Sequence, residues 1–186
     1  MKNDARPPAV LATMPAAIEL RPLAATDSIS ELTLLLRRAY ARLAMMGLRY
    51  MATHQSDDVT SERVGQGECY VAVSDGALIG TIMFKPAART GGSPWLDRPE
   101  VASLGQFAVA PDLQAHGLGA RLMTLAETRA ADTGAHEIAL DTAEPATHLV
   151  AWYARRGYRL IEHAQWSHTN YRSVIMSRLV GRGPAT

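Results

Sequence analysis

The stretch VAPDLQAHGLGARLM, Val109 to Met123, leaves an apolar run, turns at Pro111, passes Gly117 and Gly119, and continues in a helical pattern. A helix N-terminus leaves backbone N–H groups without partners and carries partial positive charge. An anion can lie there where no Cβ blocks its approach, and the two glycines remove that obstacle. The residues by themselves read as a phosphate or pyrophosphate cradle. Other readings stand beside it. A P-loop needs Gly-Lys-Ser/Thr after a four-residue gap, and neither that lysine nor that spacing is present. A dinucleotide fingerprint needs a third glycine where Leu122 stands, although Asp141 lies near the distance of a ribose-binding acid. The plain alternative is a pair of glycines that pack a helix against a sheet.

Outward from this stretch, the chain alternates strand and helix signals. VASLGQFAVA (101–110) precedes it as a strand. LGARLMTLAETRAADTG (118–134) is a predicted helix with Leu118, Leu122 and Leu125 on one face and Gly134 as its stop. HEIALD (136–141) reads as a strand, and Pro145 as the first residue of a helix that ends at Gly157. YRLIEHAQW (158–166) and YRSVIMSRL (171–179) are β-rich runs around the turn SHTN.

Towards the N-terminus, AIELRPL (17–23) alternates as a strand, and Ser28 with Glu31 has capping-box spacing. Ile29, Leu32, Leu36, Ala39 and Leu43 then share one helical face. GLRYMATHQ is irregular, and DDVTSERV (57–64) reads as a short second helix. ECYVAVSDGALIGTIMFKP (68–86) is a hairpin about Ser74-Asp75-Gly76. AARTGGSPWLDRPE (87–100) is a long loop. The order β, α, (α), β, β, β, α, β, α, β, β predicts one α/β (α+β) domain. Its front half is largely antiparallel and its back half is β-α-β-α-β. The domain is assigned to 16–182, after a flexible lead-in over 1–15.

The 186 residues suit one domain with a sizeable core. The net charge of +1 offers no excess to neutralise phosphates, so neither nucleic acid nor an anionic membrane is expected as a partner. No apolar run approaches the roughly 18 residues of a spanning helix. Cys69 is the only cysteine, which excludes an internal disulfide and a multi-cysteine zinc site. No metal is expected, and the setting is read as cytoplasmic.

Gln114-x-x-Gly117-x-Gly119, after the strand FAVA and Pro111, resembles the acetyl-CoA signature Q/R-x-x-G-x-G/A of the GCN5-related N-acetyltransferases (GNAT). Tyr153-Ala-Arg-Arg-Gly157-Tyr158 resembles that family's Y-x-x-x-G-F/Y, and the strand-helix order fits over about residues 17–180. The resemblance implies the GNAT fold, a single mixed, mostly antiparallel central sheet flanked by helices. It implies acetyl transfer from acetyl-CoA to an amine by direct attack in a ternary complex. Backbone N–H groups of Gln114, Ala115, His116, Gly117, Leu118, Gly119 and Ala120 would hold the pyrophosphate. Phe107, Ala108 and Val109 would pair with pantetheine like an added strand. One N–H there would polarise the thioester carbonyl. Tyr153 would hydrogen-bond the leaving thiolate.

The chain departs from the family in two places. Ala146 stands where an asparagine is common and Leu149 where an alanine follows, which removes one pantetheine contact of the family, and His148 is near enough to replace it. The strand before the signature offers Ser103 and Gln106 where some members carry an acid, which leaves Glu100, Asp141, His148 and His54 as candidate bases. Arg121 and Arg155 are candidates for the 3′-phosphate. Tyr50, Trp95, Trp166 and Tyr171 are candidates for the wall of the acceptor pocket. Two other readings remain: a catalytically silent acyl-CoA sensor, and a protein N-terminal or lysine acetyltransferase. The family also admits a homodimer.

Overall fold

The computed structural model describes residues 17–181, so the expected lead-in over 1–15 lies outside the described residues. Seven strands form one sheet in the order β1-β2-β3-β4-β5-β7-β6. They are β1 (Glu19–Pro22), β2 (Glu68–Ser74), β3 (Ala77–Lys85), β4 (Val101–Val109), β5 (Glu137–Ala143), β6 (Arg159–Ala164) and β7 (Ser173–Leu179). Four helices flank it: α1 (Ile29–Met45), α2 (Asp57–Val64), α3 (Leu118–Asp132) and α4 (Thr147–Arg155). The β4–β5 pair is parallel and the other pairs are antiparallel. Among the described residues, no helix is long and apolar enough to cross a membrane.

Local chemistry accounts for the element ends. Ser28 caps α1 by accepting from the Glu31 N–H at 3.2 Å, one half of the expected box. Ser56 caps α2 in the same way through the Val59 N–H. Asp75 and Gly76 have φ of 49° and 76°, and Ser74 pairs with Ala77, so the hairpin closes on a two-residue turn with both residues left-handed. Pro145 is corrected: α4 begins at Thr147 with Ala146 as its cap, so the proline lies before the helix, in the turn. The buried stripe of α3 is also corrected to Leu118, Leu122, Met123, Ala126 and Ala130, with Leu125 at its margin.

The core lies between the sheet and its helices, with Leu32, Leu35 and Leu36 of α1 and the α3 stripe packed on Val71, Ile82 and Phe84. A fully buried side chain of this size contributes about 1.5–3 kcal/mol. α2 is fixed to α1 by polar contacts instead. Thr33 Oγ1 and Thr60 Oγ1 hydrogen-bond at 2.8 Å, and Ser30 donates to Asp57. That attachment directs the face of α2 bearing Thr60 and Arg63 towards the middle of the sheet.

Candidate active site

β4 and β5 pair only from Val101 to Ser103, after which they separate. β4 meanwhile keeps its pairing with β3 out to Val109. A bulge accompanies the separation. Thr81 faces Ala108 and Met83 faces Gly105, so Gln106 and Phe107 together oppose Ile82. Gln106 has φ 45° there, and a bulge of this kind bends the strand and sharpens its twist. From Leu104 onward the β5-facing edge of β4 has no strand beside it. A cleft of about 520 Å³ opens over this edge. Phe107, Ala108 and Val109 form its floor, and Gln114, Ala115, Gly117, Gly119 and Ala120 form one end. Leu149, Trp152 and Tyr153 of α4 face Ala39, Tyr40 and Leu43 of α1 across it.

The end formed by α3 is a helix start without a side-chain cap. Its cap, Gly117, has φ 86° and supplies no side-chain bond. The first intrahelical bond runs from the Arg121 N–H to the Gly117 carbonyl at 3.1 Å. The N–H groups of Gly117, Leu118, Gly119 and Ala120 therefore have no partner within the helix. The two glycines serve different needs. At Gly117 a Cβ would meet nothing within 4 Å, so the backbone conformation is what requires glycine. At Gly119 a Cβ would stand 3.2 Å from the Phe107 ring, so the clearance of the cleft requires it. Gln114 ties the loop down by donating from Nε2 to the Val109 carbonyl at 3.2 Å.

Tyr153 is 7% exposed and lies where α4 crosses the cleft. Its hydroxyl makes no hydrogen bond to another described residue, while its ring packs edge-on to Trp152 and Tyr158. Burial first, and then the nearby Tyr40 and Tyr50, push its pKa well above the ordinary phenol value. The hydroxyl thus holds its proton and acts as a donor.

Tyr40, Phe107 and Tyr153 also line a second, smaller cavity of about 100 Å³ on the far side of the gap. Tyr50 and Tyr171 form an aromatic wall, with ring centroids 4.8 Å apart. Tyr50 is pinned to β5: its hydroxyl accepts from the Ala143 N–H at 2.8 Å and meets Thr142 Oγ1 at 2.9 Å. Asp141, Arg63 and His168 are the charged or titratable groups on this cavity besides the tyrosines. Two donors fix one Asp141 oxygen, Trp166 Nε1 at 3.0 Å and Ser173 Oγ at 3.1 Å.

The two cavities share Tyr40, Phe107 and Tyr153, and the larger ends at the uncapped start of α3. The sequence profile of the acetyltransferase (GNAT) family matches residues 33–158. The chain belongs to this family. The S-(2-succino)cysteine N-acetyltransferase of Bacillus subtilis (strain 168) is 33% identical over 137 residues, 71% of this chain and 77% of that protein. Among solved structures, the ribosomal-protein-S18-alanine N-acetyltransferase of Escherichia coli superposes with TM-score 0.66 at 16% identity, covering 88% of this chain and 94% of that one. A GNAT family acetyltransferase from Elizabethkingia anophelis with acetyl-CoA bound superposes with TM-score 0.61 at 18% identity, covering 87% and 97%. At these identities the two structures establish the shared fold.

In this acetyltransferase the sequence-derived candidates separate by position. Phe107, Ala108, Val109, Gln114, Ala115, Gly117, Gly119, Ala120 and Tyr153 come together on the large cleft. Leu118 is fully buried and does not line the cleft. His116 is exposed, with its Nδ1–H donating to the Gln114 carbonyl at 2.8 Å. His148 is exposed at the start of α4 and does not line the cleft; its neighbour Leu149 does.

Tyr50 and Tyr171 line the smaller cavity; Trp166 does not, and packs with Trp95 against the cluster of Leu96, Val101, Ala139 and Ile175 while its Nε1 donates to Asp141. Trp95 is elsewhere: it packs with Leu96, Val101, Ala139 and Ile175, and the Arg98 guanidinium lies 4.3 Å from its ring centroid. Of the candidate bases, Asp141 alone lines a cavity. Glu100 is paired with Arg98, and His54 is exposed beside Thr53. Arg121 and Arg155 are both exposed on helix surfaces.

The sequence reading missed Tyr40, Trp152, Arg63 and His168. Tyr40 and Trp152 had a usable signal. Tyr40 follows Ala39 on the apolar face of α1, and Trp152 lies beside Tyr153.

Proposed function

We propose that the protein, as one N-acetyltransferase domain over 16–182, transfers the acetyl group of acetyl-CoA to a primary amine of a small molecule or peptide. The observation that carries this reading is the open β4 edge ending at the uncapped N-terminus of α3. The Gly117–Ala120 N–H groups would receive the pyrophosphate, and the Phe107–Val109 backbone would receive pantetheine by strand-like pairing. When bound, acetyl-CoA supplies the thioester carbonyl that the amine attacks and the thiolate that leaves with the C–S electron pair.

Tyr153 Oη then donates a hydrogen bond to the developing thiolate. An ordinary phenol near ~10 is already a weaker acid than a thiol near ~8.5. Burial weakens Tyr153 further, so it keeps its proton and stabilises the thiolate by hydrogen bonding rather than by transfer. Asp141, fixed by Trp166 and Ser173, orients the amine and receives its proton through solvent. The attacking amine must be neutral. An α-amine near ~7.7–8.0 needs little help, whereas a lysine-like amine near ~10.4 needs a base or a dry pocket. The small aromatic acceptor cavity favours a small molecule over an extended peptide. The Bacillus relative, by its name an N-acetyltransferase of S-(2-succino)cysteine, supports the same preference.

The test is CoA release from acetyl-CoA with a panel of amines, amino acids, short peptides and S-(2-succino)cysteine, using wild type and Tyr153→Phe. The expected result is turnover on at least one amine, with kcat lowered about 100-fold in the variant and acetyl-CoA affinity kept. Saturable acetyl-CoA binding without turnover on any amine would support the silent sensor instead.

A further inference from the structure

Arg63 stands apart from the other half-buried arginines of this chain. Arg21 meets Asp27, Arg129 meets Glu68, and Arg156 and Arg178 both meet Glu127. Arg63 lines the acceptor cavity, and no carboxylate lies within ion-pair distance of it among the described residues. Its one side-chain partner is neutral. Nη1 donates to Gln55 Oε1 at 3.0 Å.

Gln55 is itself held firmly. It is 1% exposed, and its Nε2 donates to Thr60 Oγ1 at 2.7 Å and to Gln106 Oε1 at 3.1 Å. The Arg37 Nε donates to its carbonyl at 2.9 Å. Arg63 is therefore aimed by a chain of amides rooted in the β4 bulge. A guanidinium has five donors in a planar fork, and only one is occupied here. Burial draws its pKa below the ordinary value, which expresses the cost of a cation without an anion.

The same cavity holds Asp141, and among its described lining residues Arg63 is the only lysine or arginine. One fixed cation and one carboxylate in a small aromatic chamber match a ligand that carries both charges. A phosphate dianion would meet a single guanidinium and the opposing Asp141, a poor balance. A simple amine would leave the guanidinium unanswered. We propose that the acceptor is a free α-amino acid or a close derivative, with its α-carboxylate on Arg63 and its α-amine between Asp141 and the β4–β5 gap. This rests on the acetyl-transfer reading above and narrows its substrate.

The step balances simply. The nitrogen–acetyl bond forms, the thioester C–S bond breaks with its electron pair on sulfur, and one proton passes from the nitrogen to solvent. The α-amine of a free amino acid is held protonated near neutral pH by its own carboxylate, so it must lose a proton to solvent before it attacks.

The experiment compares L-α-amino acids and S-substituted L-cysteines with their α-amides and decarboxylated amines, in wild type, Arg63→Gln and Arg63→Lys. Acceptor binding is titrated by calorimetry in the presence of CoA, beside the rate of CoA release. The expected result is acetylation of free acids, with amides and decarboxylated amines at least 10-fold poorer. In Arg63→Gln the free acids should bind about 10- to 100-fold more weakly, mostly through KM, and Arg63→Lys should recover part of the loss. Unchanged acetyl-CoA affinity would report an intact fold.

Equal use of amides and acids, or an acid-to-amide ratio that Arg63→Gln leaves unaltered, would overturn the proposal. So would acetyl-CoA binding with no acid accepted. Absence of acetyl-CoA binding altogether would instead overturn the acetyl-transfer reading itself.

Discussion

Tyr153 and Gly117 carry different kinds of requirement. The Tyr153 hydroxyl is chemical, and burial raises its pKa. A group so raised is protonated at every pH below its folded value, so the proposed donation to the thiolate would persist from neutral to alkaline pH. The pH profile of kcat/KM should rise as the acceptor amine deprotonates, with no falling limb from the tyrosine up to about pH 9.5. A profile recorded between pH 6 and 9.5 on the best acceptor checks this. A falling limb present in wild type and absent in Tyr153→Phe would contradict it. Gly117 is conformational. An alanine there is forced to φ 86° and should cost about 1–2 kcal/mol, read as a lowered urea midpoint, although no atom lies in its way.

At the scale of elements, the bulge in β4 links the two cavities. Gln106 is 4% exposed, and its Oε1 accepts from the Gln55 amide that also receives Arg63. Gln106→Ala should cost about 1–3 kcal/mol, because one Gln55 N–H loses its buried partner. Thermal unfolding would register this as a drop of several degrees. Acceptor KM should rise as well, since Arg63 loses its fixed support. An unchanged melting temperature would show that the amide chain is not load-carrying.

The same region marks the limit of what the residues disclose in order. Asp75-Gly76, Ser28 and Gly134 act within a turn of their own position, so their effects are legible locally. The Gln114–Gly119 signature is likewise continuous, and it led to the large cleft. The smaller cavity gathers Tyr40, Arg63, Gln106, Asp141 and His168, which only the folded sheet brings together. Gln106 has no turn signature for its positive φ; the strand gap imposes it. Trp95 misled because aromatic character alone does not say which side of the sheet a loop covers. It faces the cluster around Val101 and Ile175.

Over the whole molecule, carboxylates bridge distant elements. Glu68 of β2 accepts from Arg129 of α3 at 2.7 and 2.9 Å, Asp27 is held by Arg21, and Glu137 of β5 by Arg159 of β6. The pKa of Asp27 is lowered chiefly by its bond to Arg21, and that of Glu68 chiefly by Arg129. Glu137 is lowered as well, its Arg159 and Ser177 bonds outweighing the opposing effect of burial. A folded pKa below the unfolded one gives stability that is present above the unfolded value of about 4 and lost as pH falls through the folded value. The urea midpoint should therefore hold from pH 7 to about 5 and decline below that. Glu68→Gln should flatten the decline. A midpoint that stayed constant to pH 3 would contradict this picture.

The proposed acetyl-CoA site lies between the β4–β5 gap and the start of α3. Titration calorimetry of acetyl-CoA into wild type and Gly119→Val tests it most directly, because a larger side chain at 119 would crowd Phe107 and narrow the cleft. Saturable binding to wild type is expected, with at least 10-fold weaker binding to the variant and little change in its melting temperature. No saturable binding to wild type, or equal affinity in a folded variant, would contradict it.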